Sequence, residues 1–233
     1  MTIIAPKAPN VPANKRLPRE QAPQLVALDN VRWETYERLL RDLDGQNVRI
    51  TYDRGRMVLM SPLPWHEKVK TLIGRMIELA GLELIIPISS LGSATWKRKD
   101  LARGLEADEC YYVQHEHLVR RKKRIDLATD PPPDLAVEVD ITHQPADRPS
   151  VYAALGVNEV WRYDGKRVEF LKLGADGIYR AIPASEAFPE LTPEVINRFL
   201  GMFGTTDESS LMRAFQQFLR KSRQRKPRRG KRQ

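Results

Sequence analysis

Cysteine is almost absent from this 233-residue chain, in which Cys110 stands alone. An intramolecular disulfide is therefore excluded, and so is a closed zinc site built on thiolates. A single thiol suits a reducing cytoplasm, which is the expected location. Long apolar runs are missing as well. Nothing approaches the roughly 20 apolar residues needed to cross a bilayer, and no apolar stretch follows the first charges as it would in a secretory signal. A soluble protein is expected. The opening MTIIAPKAPNVPANKRLPREQAPQL has no periodic apolar face and is crowded with proline, so residues 1–25 read as a disordered or loosely docked arm.

Acidic residues are missing from the other end. None follows Glu208, whereas ten Lys and Arg lie between Arg213 and Arg232. Without those ten, 29 basic residues face 30 acidic ones, so the body has a net charge of −1 and the tail carries the surplus behind the chain's +9. Such a polycation attracts any phosphate backbone without reading its sequence. The plainer alternative is a solvated tail with no dedicated partner. The expected organisation is a folded body over 26–204 and a helical to disordered basic tail over 205–233.

What is present is patterned. WETYERLLRDLD at 33–44 has helical spacing and ends before Gly45. NVRITYD and RMVLMSP alternate on either side of Asp53-Arg54-Gly55, which predicts a hairpin. Residues 65–83 repeat the helical period through Val69, Leu72, Ile73, Met76 and Ile77. SATWKR, ECYYV, DLAVEVDI, VNEVWRYD and KRVEFLKL read as strands, with a short helix from Asp147 to Gly156 and two more helices over 193–203 and 207–221. The order predicts a single α+β or α/β domain with one mixed sheet.

Two acids stand where apolar residues are expected. Glu138 lies between Val137 and Val139 in the most apolar strand, and Asp108 opens another apolar strand. A buried carboxylate is unfavourable unless it is paired, hydrogen-bonded or bound to a cation. On paired strands the two could approach to about 4 Å, with a repulsion of roughly 4 kcal/mol at an effective dielectric of 20. A hard divalent cation, Mg²⁺ or Mn²⁺, would remove that repulsion. Salt bridges to Arg or Lys from neighbouring strands would serve equally well, and spacing alone leaves both readings open.

The residues GLEADECYYV, followed by PPPDLAVEVDITHQPADRPSVYAALGVNEVWRYDGKRVEFLKL, resemble the Uma-two family of restriction endonucleases in the PD-(D/E)XK nuclease superfamily. The likeness spans about residues 47–173. It implies a restriction-endonuclease-like fold, a central mixed sheet flanked by helices with a metal site at one sheet edge. It implies metal-dependent hydrolysis of DNA phosphodiesters, with the tail from Arg213 to Arg232 as a nonspecific anchor; a homodimer is compatible with it. By resemblance, Asp108 matches the aspartate of the PD element, although Ala107 replaces its proline, and Glu138 matches the glutamate of the second element. Asp140 stands where the superfamily lysine is expected. In this family that lysine sits on the next helix, four residues before the tyrosine; here Arg148 holds the position before Tyr152. Glu67 matches an acid that completes such metal sites from the first core helix. The implied metal ligands are thus Asp108, Glu138 and Glu67, with Arg148 as the catalytic cation. Arg148 can stabilise charge at phosphorus, but it cannot act as a general base.

Other candidates are weaker. Asp134 also follows a proline, but on an extended strand it lies about 13 Å from Glu138, too far to share one metal. Asp140 shares Glu138's face and could assist through a water. His115 and His117 without thiolates make a poor zinc site and read as a solvated turn, and His66 and His143 could lie near the site mouth, with a surface role as the default for both. Two rival functions stay open: a noncatalytic nucleic-acid-binding protein of the same fold, and an interaction domain whose carboxylates are merely paired.

Overall fold

The computed structural model describes residues 24–141 and 146–225. The expected N-terminal arm and His143 lie outside these residues, except that Leu25–Leu28 forms a first strand, β1. Helix α1 (Trp33–Asp42) follows, and its stripe of aromatics seats Trp33 and Tyr36 on Tyr52 of the next strand. The predicted hairpin is β2 (Arg49–Asp53) and β3 (Arg56–Met60), turned at Arg54 and Gly55 with φ of 48° and 95°. Both turn residues are left-handed, which matches the twist of the strands they join. Helix α2 (Pro64–Leu84) starts with proline in its first turn, where the missing N–H is harmless. It ends at Ile85, whose φ of 59° stops the helix before β4 (Ser89–Gly92).

Strands β5 (Thr95–Arg98), β6 (Arg103–Glu106) and β7 (Glu109–Tyr112) come next, then the short helix α3 (Glu116–Val119) and β8 (Leu135–Val139). All five residues of β8 are buried. Helix α4 (Arg148–Leu155) is capped by the Asp147 carboxylate, which accepts from Ser150 N, and is closed by Gly156 at φ 80°. Strands β9 (Glu159–Tyr163), β10 (Val168–Leu173) and β11 (Tyr179–Ala181) precede α5 (Pro193–Leu200) and α6 (Glu208–Arg225).

The strands form two sheets where one was expected. The first, in order β1-β3-β2-β6-β5, is antiparallel throughout. The second, β11-β10-β9-β8-β7-β4, is mixed, because β8 and β9 run parallel with α4 as their crossover. This is the mixed sheet flanked by helices of a restriction-endonuclease-like fold. One face of it, with Val137, Val139, Trp161 and Phe170, packs in a core with α2, α5 and α6. The opposite face, with Cys110, Tyr112, Ala136 and Val160, packs under α4. Periodicity does not reveal β6 (RGLE), α3 (EHLV) or β11 (YRA), whose three or four residues carry no pattern distinct from a loop.

Helix α6 is part of the body. Leu211, Phe215 and Leu219 are fully buried in the same core as α2, and Arg220 makes two 3.0 Å hydrogen bonds to Glu83. The division of the chain at residue 204 therefore separates a tail whose first half is a core helix. Among the described residues no helix is long and apolar enough to cross a membrane.

Candidate active site

The β7–β8 register builds the site. Glu109 pairs with Val137 in an antiparallel ladder, so the next residues outward, Asp108 and Glu138, stand opposite each other on one face. Both are almost wholly buried, at 1% and 4% exposure. Asp108 Oδ2 accepts from Val139 N at 2.8 Å, which ties the end of β7 to β8. The two acids meet at the edge where β2 and β6 of the first sheet close over the second.

Arg148 fills the space beside them. From the first turn of α4 its Nη2 donates to Glu138 Oε2 at 2.7 Å and to the carbonyl of Glu106 at 2.8 Å, while Nη1 donates to Thr51 Oγ1 at 2.6 Å. Its Nε lies 2.5 Å from Glu138 Oε1, off the line of a hydrogen bond. Tyr152, one helical turn on, donates its hydroxyl to Glu138 Oε2 at 2.9 Å. One guanidinium thus links β2, β6 and β8. Burial pushes the Glu138 carboxyl above its ordinary range, against the pull of Arg148, and the Asp108 charge adds to the push. Burial also disfavours the charge on Asp108, but His66 and Arg148 outweigh it and hold this carboxyl low. The Tyr152 phenol is pushed well above its usual value, mainly by burial.

A second layer of charge surrounds the pair. His66 is 2% exposed, with Nε2 3.2 Å from Asp108 Oδ2 and Nδ1 3.2 Å from Glu67 Oε1. Burial opposes its protonation, yet the contacts with Asp108 and Glu67 prevail and raise the imidazole to about 9. Glu67 lies one side chain farther out, between His66, Lys70 at 3.0 Å and Arg49 at 3.6 Å, and its carboxyl is lowered to about 2, chiefly by His66. Arg49 pairs with Glu106, donates to Ser93 Oγ at 2.9 Å, and sits 4.0 Å from Asp108 Oδ1.

Of the residues expected here, Asp108, Glu138 and Arg148 come together at one point, and Glu67 joins them only through intervening cations, His66 and Arg49. Among the described residues no group of three or more His, Cys, Asp or Glu is arranged to hold a metal ion. A hard cation such as Mg²⁺ needs only one or two carboxylates when water and phosphate supply its other ligands. Asp108 and Glu138, opposed and mutually repelling, fit that smaller requirement, in competition with Arg148 for Glu138. Asp134 is occupied elsewhere: it accepts from the N–H groups of Val113 at 2.7 Å and His115 at 2.9 Å, and its other oxygen lies 2.5 Å from the His115 ring. His117 is exposed on α3.

Sequence reasoning missed Arg49, Lys70 and Thr51, and for His66 it allowed a place near the site mouth but took the surface as the default, whereas the side chain is buried against Asp108. A signal for His66 existed, because it stands three residues before Val69 and so begins the same buried stripe of α2. Arg49 offered none: at the start of a strand an arginine reads as solvated.

No curated protein matches the chain. A family model does, over residues 33–200 of the 233; it is that of Uma2, described as "Putative restriction endonuclease". The match takes in the whole mixed sheet, the first sheet apart from β1, Asp108, Glu138 and the helix that carries Arg148, and the chain belongs to the Uma2 family.

Proposed function

We propose that the chain is a divalent-metal-dependent endonuclease acting on DNA phosphodiester bonds, with Asp108 and Glu138 as the metal-holding pair. The observation that carries this reading is the buried, opposed placement of these two acids among four cationic side chains, Arg49, His66, Lys70 and Arg148. Membership of a restriction endonuclease family supports it. A bound Mg²⁺ or Mn²⁺ would supply polarisation of the phosphate and a lower pKa for an attacking water.

The chain's own groups do the rest. Arg148, charged at any working pH, stabilises negative charge building at phosphorus, a task its planar fork suits. His66 holds Asp108 in its ionised form, and through Glu67 it fixes the outer layer. Lys70, joined to Ser93 at 3.1 Å, and Arg49 raise the local positive potential that draws a phosphate in. No side chain touching either carboxylate is a ready base at neutral pH: Arg does not deprotonate, His66 is already protonated and Tyr152 holds its proton. The reading therefore depends on the metal for water activation. The polycationic end of the chain is the nonspecific DNA anchor.

The double contact of Arg148 on Glu138 favours a second reading, a DNA-binding protein of this fold without turnover. Nicking of supercoiled plasmid in Mg²⁺ or Mn²⁺ separates the two. The nuclease reading requires nicking that falls at least about a hundredfold in Asp108→Asn and in Glu138→Gln. Intact plasmid with wild-type protein bound to it would establish the second reading instead, and nicking that survives both substitutions would remove the assigned site.

A further inference from the structure

One charged run of the folded body takes no part in the site around Asp108 and Glu138. Arg120, Arg121, Lys122, Lys123 and Arg124 are consecutive and exposed, and they lie in the connection between β7 and β8, directly after α3. The near-neutral sum of the body conceals them. From Glu116 to Asp130 these five cations face three acids, and each acid is already engaged. Glu116 holds Arg120 in a two-pronged contact at 2.8 and 2.5 Å. Asp130 pairs with Lys122 and accepts from Asp126 N at 3.0 Å, while the Asp126 carboxylate accepts from Ala128 N at 2.9 Å. Arg121, Lys123 and Arg124 are left with no ion pair or hydrogen bond from their side chains among the described residues.

The arch that carries these cations is anchored at both ends. Val119 and Leu127 are buried in the core under α4. Lys122 N donates to the Val119 carbonyl at 2.8 Å, and Arg98 from β5 donates to the Leu127 carbonyl at 3.1 Å. The three free cations thus stand on a fixed strip of backbone, and binding a polyanion there orders little further chain. Exposed Lys and Arg runs of this length meet the repeating charges of a phosphate backbone without reading its bases. A membrane surface suits the run less well. Insertion needs apolar side chains beside the cations, and of the large apolar residues flanking the run only Leu118 is exposed. We infer that Arg121, Lys123 and Arg124 form a second contact surface for the phosphate backbone of DNA, apart from the Asp108–Glu138 pair and from the C-terminal polycation. DNA as the polyanion rests on the nuclease reading. The run leaves β7 at the end opposite Asp108, and the strand alone separates Val113 from Asp108 by roughly 16 Å. These cations therefore hold a flanking stretch of the nucleic acid and not the phosphate being cut.

The test is the fluorescence anisotropy of a labelled duplex of about 20 base pairs, titrated with the full chain in EDTA over a series of salt concentrations. Neutralising the three residues together, as Arg121→Gln, Lys123→Gln and Arg124→Gln, should make the slope of log K against log salt shallower by about 2–3. Binding at low salt should weaken roughly tenfold or more, with the melting profile unchanged. The charge-keeping set Arg121→Lys, Lys123→Arg and Arg124→Lys should bind as the wild type does. Removing three exposed cations elsewhere, as Arg32→Gln, Arg41→Gln and Lys166→Gln, should change the slope by less than about 1. Equal changes in both neutralised triples would overturn the surface, as would an unchanged slope in the first or a wild type that does not bind the duplex. Loss of binding to anionic phospholipid vesicles in the first triple, with duplex binding intact, would assign the run to a membrane instead. A shallower slope without plasmid nicking would remove the nuclease reading alone, whereas nicking with an unmoved slope would remove only this surface.

Discussion

At the residue scale, Arg148 and Glu138 are each other's compensation for burial. Truncating one partner of a buried ion pair leaves the other charge stranded and destabilises by about 3–5 kcal/mol, whereas replacing both with apolar groups can be nearly neutral. Arg148→Met should therefore lower the unfolding free energy measured in urea by that order, and adding Glu138→Leu should restore much of the loss. Equal, additive losses in the single and double variants would show that the pair is not coupled. His66 makes a pH prediction. Its folded-state pKa lies at about 9, above the ordinary 6.5, because Asp108 and Glu67 outweigh burial. A raised pKa means that the contribution is fully present below pH 6.5 and is lost as pH rises through about 9, up to roughly 3 kcal/mol in all. Denaturation in chelator across that window should show the decline, and His66→Gln should flatten it. Cys110 is buried against the Trp96 indole, and burial pushes its thiol up to about 12. A thiol reagent at pH 8 should label it only after unfolding, and rapid native labelling would contradict the packing.

At the scale of elements, β6 and α1 touch through a glycine. A Cβ at Gly104 would overlap the Tyr36 hydroxyl and stand 2.9 Å from Lys97 Cβ, so no larger side chain is accommodated there. Gly104→Ala should destabilise by about 1–3 kcal/mol, as overpacking of a filled core does, and a thermal melt measures it. Helix α6 behaves as core for the same reason of contact. Its basic residues alternate with Leu211, Phe215 and Leu219, and these apolar positions lie against α2. Phe215→Ala should remove about 3–5 kcal/mol, well beyond the effect of any exposed arginine on that helix.

For the whole molecule, the distribution of charge separates folding from association. Residues 226–233 hold five Lys and Arg, namely Lys226, Arg228, Arg229, Lys231 and Arg232, and no acid. Ending the chain at Arg225 keeps α6 and removes these five charges. If the tail anchors the protein to DNA, the slope of log K against log salt should become shallower by as much as about 4, with the melting temperature unchanged. An unchanged slope would refute the anchor. A cut at residue 212 cannot make this distinction, because it takes most of a core helix along with the charge.

Hydrophobic period determined most of the architecture on its own: α1, the β2–β3 hairpin, α2, β8, the β8-α4-β9 crossover and α5 are all legible, because each buries a continuous stripe or alternating face. Asp108 and Glu138 were legible for the converse reason, as charges interrupting such faces. Which groups answer those charges was decided only in three dimensions. Arg49 comes from the other sheet, His66 from α2 and Arg148 from a crossover helix, and long-range packing rather than local pattern brings them within 4 Å of their partners. The same holds for α6, whose charge reads as a tail while its apolar stripe finds a partner, α2, more than a hundred residues away in the chain. Sequence carries the preferences of each segment, but a buried ion pair exists only once two distant segments share one desolvated space.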